Sequence, residues 1–173
     1  MDGWANSDNA AQANGGGPLV GDFDAVNPGA GYRQLYSFDL STIPGGATLV
    51  TVNLRLYQAG VSGDPYGELG DVIVDHVAYG SALDGSDYAG GTLSASIGTL
   101  STTSDVEYKN LDVTDELVAD LAAGRPRSQF RIRFSPADGN DYGNSDLALF
   151  TDQELSCCVG VTQQPKLVVT YDP

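Results

Sequence analysis

The chain is poor in the residues that carry most enzyme chemistry. Its 173 residues include one histidine, His76, and two cysteines, Cys157 and Cys158. A serine nucleophile needs a base, and His76 is the one histidine available for that role. The nucleophile elbow G-x-S-x-G is absent. His76 follows Asp75 inside "VIVDHVAY", and neighbours on a strand point to opposite faces. His76 is therefore read as a strand residue rather than a catalytic base. Two cysteines do not make a zinc site, and there is no second pair. Adjacency leaves three readings of Cys157 and Cys158 open: a strained vicinal ring, two unpaired thiols, or pairing to another chain.

Positive charge is also scarce. Eight basic residues face 23 acidic ones, for a formal net charge of −15. A field of that sign repels phosphates and anionic membranes, which argues against nucleic acid as a partner. It argues equally against polyanionic glycans. Neutral glycans, cations or simply a solvated surface in salty water remain compatible, and a neutral glycan or a neighbouring surface protein is the expected partner. Arg125, Arg127, Arg131 and Arg133 crowd into "RPRSQFRIR", and the expected role is local balancing of carboxylates. No apolar run approaches the roughly 18 residues of a membrane helix, so insertion into a bilayer is not expected. The opening "DGWANSDNAAQANGGG" is small and polar and does not read as a signal peptide. Phosphate loops, dinucleotide fingerprints, basic-aromatic RNA motifs and N-x-S/T acceptors are all missing.

Glycine is plentiful, with 22 residues, and hydrophobic residues make up 41%. That combination favours one domain, residues 1–173, with a real core and many short strands. Several segments alternate with the period of a half-buried strand. "TLVTVNLRLY" puts Val50, Val52, Leu54 and Leu56 on one face. "SQFRIRF" puts Phe130, Ile132 and Phe134 inside, with Gln129, Arg131 and Arg133 outside. "YRQLYSFDL", "DVIVDHVAY", "VEYKNLDV", "DLALF" and "KLVVTYD" are further strands. Between them lie the turn signals "PGG", "SGDPYG", "LDGSDYAGG", "PADGNDYGNSD" and "TQQP". "DVTDELVADLAAGR" reads as a short helix with Thr114 as N-cap, Leu117, Val118 and Leu121 as its apolar stripe, and Gly124 as its stop. The expected architecture is all-β, an antiparallel, jelly-roll-like two-sheet β-sandwich with one short α-helix near 115–123. Residues 1–17 are expected to be loosely ordered, with Trp4 packing back onto the domain edge.

Oxygen-rich loops are the candidates for binding. "PADGNDYGNSD" gathers Asp138, Asn140, Asp141, Asn144 and Asp146, and calcium takes six to eight oxygens from such loops. Tyr142 sits where an EF-hand has its third ligand, so the loop is not an EF-hand. "GDFD", with Asp22 and Asp24, is a shorter relative. "LDGSDYAGG" offers Asp84 and Asp87. Tyr79, Tyr88 and Tyr142 are candidate rings for stacking on a sugar, and Tyr66 lies in a similar loop. Carboxylate pairs for glycoside hydrolysis cannot be located by spacing, since they meet only across a cleft.

"YRQLYSFDLSTIPGGATLVTVNLRLY" resembles the N-terminal half of DNRLRE-type domains, through Arg33, the run Phe38 to Ser41, Ile43, Pro44, Gly46 to Thr48 and Leu54 to Tyr57. "LDVTDELVADLAAGR" is similar to that family's "DVT" helix, "QFRIRF" to its following strand and "PKLVVTY" to its closing strand. The family comprises secreted bacterial and archaeal β-sandwich modules related to disaggregatase-associated and carbohydrate-binding modules. The resemblance implies a non-catalytic extracellular module, either glycan-binding or attaching a larger secreted protein to a surface. The alternative is a structural building block, a stalk, surface-layer or filament subunit that self-assembles without a small ligand. Calcium is the one cofactor expected.

Overall fold

The alternating segments become strands because their β-branched and aromatic residues fit a pleated, half-buried surface. The computed structural model describes residues 2–14, 19–23, 29–136, 139, 144–154 and 161–172. Its strands are β1 (Gly3–Asn6), β2 (Ala11–Ala13), β3 (Val20–Asp22), β4 (Gly31–Asp39), β5 (Thr48–Ser62), β6 (Gly70–Val77), β7 (Thr92–Ser101), β8 (Glu107–Asp112), β9 (Arg127–Pro136), β10 (Asp146–Phe150) and β11 (Lys166–Asp172). Helix α1 spans Pro65–Glu68 and α2 spans Thr114–Ala122, with a 3-10 turn at Gly85–Tyr88.

All strand pairs are antiparallel, as expected. They follow one hydrogen-bonded path, β11-β5-β10-β3-β4-β9-β6-β7. β8 adds to the other edge of β5, and β1 joins β4. The path curls over its core as one continuous antiparallel sheet. The 15-residue β5 makes the curl possible. Its first part pairs with β11 and its last residues with β10, with a register shift in each ladder.

The inward rows meet in one core. Val52, Leu54 and Leu56 of β5 and Phe130, Ile132 and Phe134 of β9 are fully buried, as are Val72, Val74 and Leu117. Each such side chain stabilises the fold by about 1.5–3 kcal/mol through burial. Val50 lies on the same row by parity but is 49% exposed, because the row runs past the end of the core there.

Helix α2 appears where expected, and Gly124 ends it in a left-handed conformation at φ +67°. Its details differ. Val113, not Thr114, is the N-cap residue. Asp112 does the capping work, accepting from the Thr114 N–H at 2.9 Å. The Thr114 hydroxyl is turned to the sheet and accepts from Val52 N–H at 2.9 Å. Val118 and Leu121 are not the inner stripe, being 49% and 36% exposed. Leu117 and Asp120 face inward instead, three residues apart on one helix face.

The outer face of the sheet is also covered, which no period-two pattern shows. Residues 2–14 are not loose: β1 and β2 form a hairpin, and β1 pairs with β4 from Gly3↔Leu35 to Asn6↔Tyr32. Trp4 packs edge-on to Tyr32 at 5.1 Å, the docking expected of it. Ala5, Leu35, Val77 and Tyr79 form a second, smaller core beneath this hairpin and the segment after β6. Gln129 and Arg131, expected outside, are therefore 4% and 3% exposed.

Candidate functional site

Three polar groupings stand out among the described residues. The first lies at one end of the curled sheet. Asp146 opens β10 and faces Asp22 at the end of β3 across an antiparallel ladder. Two residues further in, Ala148 and Val20 belong to the core, so the two carboxylates continue that row to its mouth. Asp22 is fully buried and Asp146 is 6% exposed. The loop before α1 closes over them. Asp64 N–H donates to Asp146 Oδ1 at 2.7 Å. Gly63 permits the approach, since it sits at φ +71° and a Cβ there would run into Asp146 Oδ1 and Ser145 O. Asp64 then caps α1, accepting from Gly67 N–H at 3.2 Å. Beside them opens a cleft of about 640 Å³, lined by Ser62, Gly63, Asp64, Glu68, Asn144, Ser145 and Asp146.

Of the expected calcium ligands, Asn144 and Asp146 stand at this cleft. Asp138, Asn140 and Asp141 lie outside the described residues, as do Tyr142, Asp24, Cys157 and Cys158. Among the described residues no three His, Cys, Asp or Glu side chains converge as a metal set.

The second grouping is a buried clamp. Asp75 on β6 meets two guanidinium groups of β9. Its Oδ2 accepts from Arg131 Nη2 at 2.9 Å and from Arg133 Nε at 3.0 Å. Its Oδ1 accepts from Ser96 N–H of β7 at 2.9 Å. Arg131 also donates to the carbonyls of Asp87 and Gly90, each at 3.0 Å, and to Thr92 Oγ1 at 2.9 Å. One carboxylate thus ties β6, β7 and β9 to the segment that covers them. Burial pushes the Asp75 carboxyl up, but the bonds from Arg133, Ser96 and Arg131 outweigh it and hold it below the ordinary value.

The third grouping contains the single histidine. His76 Nε2 lies 3.0 Å from each oxygen of Asp120, and Arg125 Nη1 donates to Asp120 Oδ1 at 3.0 Å. His76 is 3% exposed and Asp120 is fully buried. The imidazole tilts against Phe130 at 5.6 Å. Asp75 and His76 do serve opposite faces, as alternation requires. This pairing fastens α2 to β6 and satisfies the inward-facing Asp120. It offers no nucleophile to a substrate, since the ring is enclosed and its Nε2 already has a partner.

The expected sugar-facing residues are engaged in folding the 78–91 segment down. Tyr79 is 8% exposed, and burial raises its phenol well above the usual range. Tyr88 lies under the Arg33 guanidinium, 4.0 Å from ring centre, and its carbonyl accepts from Arg33 Nη1 at 2.7 Å. Asp84 caps the 3-10 turn through Ser86 N–H at 2.8 Å, and Asp87 Oδ2 accepts from Asp84 N–H at 2.8 Å. The Tyr66 hydroxyl meets Gln58 Oε1 and lies 2.8 Å from Ser101 Oγ.

Asp2 was not singled out by any motif. It is 3% exposed, and its Oδ2 accepts from Gln153 N–H at 2.7 Å. Burial pushes its carboxyl up to about 6; the Gln153 bond opposes this, while nearby Glu154 and Asp152 add to it. A raised carboxyl binds its proton more tightly in the folded state than in the unfolded one. Stability therefore falls as pH rises from the ordinary value near 4 to about 6. Asp2→Asn is expected to flatten that slope and to gain about 1–2 kcal/mol at pH 7. Thermal melts of both proteins at pH 4.5 and 7 check this; identical profiles would contradict it.

No family model matches this chain, and no curated protein matches it.

Proposed function

We propose that this chain is a non-catalytic extracellular module, an accessory domain through which a larger secreted protein binds glycan or attaches to a surface. The observation that carries the reading is the open, oxygen-lined cleft at the mouth of the curled sheet, beside Asp64, Asn144 and Asp146. Its chemistry suits hydroxyl-rich ligands, which accept and donate many neutral hydrogen bonds. The other two charged groupings are buried and occupied with each other. The resemblance of the Phe38 to Tyr57 run to DNRLRE-type domains supports the same reading. Asn144 and Asp146 carry hard oxygens of the kind calcium prefers, which supports calcium as the cofactor of this reading.

A glycan array probed with calcium present tests this. Binding to one class of neutral sugar is expected, with Asn144→Ala weakening it at least tenfold. Calcium is expected to raise the melting midpoint and chelator to reverse the rise. Silence across the array would sink the glycan reading, and an unmoved midpoint would sink the calcium part.

One feature favours the structural alternative. From Tyr88 to Ser104 the chain carries no charged side chain, although its net charge is −15. That stretch contains β7, which among the described residues pairs with β6 alone. An uncharged edge strand is a template for pairing with another chain. Filaments in electron microscopy, abolished by Ser94→Lys, would support assembly in place of glycan binding.

A further inference from the structure

Arg127 differs from the other arginines in making no hydrogen bond among the described residues, although Asp39 and Tyr79 lie near enough to feel its charge. Among the described residues every other arginine donates a hydrogen bond: Arg33 to Tyr88, Arg55 to Asn110, Arg125 to Asp120, and Arg131 and Arg133 to Asp75. Arg127 has no such bond and no ion pair. Its ladder partner is Asp39, but Asp39 Oδ1 is turned to Ser41 N–H at 2.8 Å. A guanidinium with five unanswered donors, half-buried rather than loose in solvent, is poised for a ligand.

The surroundings are a built hollow of about 350 Å³. That volume lies at the lower end of small-molecule pockets. Ala78 and Pro126 supply carbon walls, and Arg125 and Arg127 line the rim. The backbone wall is rigid. Gln129 Oε1 accepts from Tyr79 N–H at 3.0 Å and Gly80 N–H at 3.2 Å. Its Nε2 donates to Gly80 O at 2.8 Å and Ser37 Oγ at 3.1 Å. Arg125 is fixed from both ends, by Nη1 on Asp120 Oδ1 and by its N–H on Asp120 O at 2.9 Å. Asp120 accepts from Arg125, and the Asp39 carboxylate, turned to Ser41, meets Arg127 only through space, so Arg127 supplies the guanidinium donors without a bonded acceptor at the hollow.

We propose that this hollow binds a small organic monocarboxylate with an apolar body, its carboxylate paired with Arg127 and its body against Ala78 and Pro126. One guanidinium without a bonded carboxylate suits one negative charge, and the nearby Asp39 carboxylate disfavours a dianion. The carbon walls favour a ligand larger than a bare anion. Guanidinium presents parallel donors that match a carboxylate bidentately. The acidic character of the rest of the chain leaves few other places for such an anion.

Amide chemical-shift titration tests the proposal, with benzoate, acetate and benzamide as probes. Benzoate is expected to give saturable shifts centred on residues 78–81 and 125–129. Acetate lacks the body and benzamide lacks the charge, so each is expected to bind at least fivefold more weakly. Arg127→Gln is expected to weaken benzoate at least tenfold while leaving the melting midpoint unchanged, because that side chain holds no bond in the fold. Arg127→Lys keeps the charge and restores part of the binding. Benzoate binding no better than benzamide, or no better than acetate, overturns the proposal. So does full benzoate binding to Arg127→Gln.

Discussion

Asp75→Asn is expected to lower the stability of the fold by about 3–5 kcal/mol in urea denaturation. The substitution keeps the shape and removes the charge. Arg131 is 3% exposed and Asp75 1%, so the guanidinium would stay buried with its counter-charge gone. Carbonyls of Asp87 and Gly90 would still accept from it, but none of them carries a full negative charge. Arg133 is a useful contrast. It shares the same carboxylate but is 20% exposed, so water can take over when it loses its partner. Arg133→Gln is expected to cost about 1 kcal/mol. Equal losses for the two variants would contradict the claim that burial sets the magnitude. The same carboxylate shapes the acid limb of the stability curve. Its folded value is depressed, so its contribution is complete above the ordinary value near 4 and disappears as pH falls through the lowered one. Asp75→Asn should lose that limb. Asp2 works in the opposite direction, since its folded value is raised.

Asp120→Asn is expected to cost about 2–4 kcal/mol. Asp120 is fully buried on the inward face of α2, where an apolar residue would normally sit. It remains there because His76 and Arg125 both address it. Burial raises its carboxyl, and the His76 and Arg125 bonds outweigh that and hold it below the ordinary value. An amide can still accept from one partner but cannot answer Arg125 with charge. The loss should be local as well as global. Helix α2 is short and depends on its tertiary contacts, so its amides should lose hydrogen-exchange protection first. Uniform loss across the sheet, with α2 still protected, would show that Asp120 does not fasten the helix.

The fold was largely legible in the order of residues. Period-two alternation located β4, β5, β6, β8, β9, β10 and β11, and the 3.6 period with Gly124 located α2. The short strands β1, β2 and β3 escaped, because three or four residues carry too little periodicity. So did β7, whose small polar residues alternate weakly and whose ladder to β6 shifts register repeatedly. The expected sites were less legible. Asp84, Asp87 and Tyr88 have the composition of a binding loop, yet they cap and stack to fold their own segment. Turn-forming oxygens and ligand-forming oxygens are the same residue types. Asp64 and Asp146 meet only because β5 and β10 pair at their ends. Arg127 could be named in advance as part of a basic stretch, but its lack of a bonded partner is a property of three dimensions.

By itself the sequence determined an antiparallel all-β chain with one short helix, since local alternation and turn chemistry act over a few neighbouring residues. It also determined the acidic surface charge, which is a sum over composition. Only the tertiary structure decided which charges are enclosed. Arg131 reads as an outward residue and is buried, because the N-terminal hairpin and the 78–91 segment cover that face. Asp120 lies outside the expected apolar stripe of α2 and is buried, with His76 of β6 against it. Burial depends on what packs from elsewhere in the chain, and long-range contact leaves no periodic mark on the residues it covers.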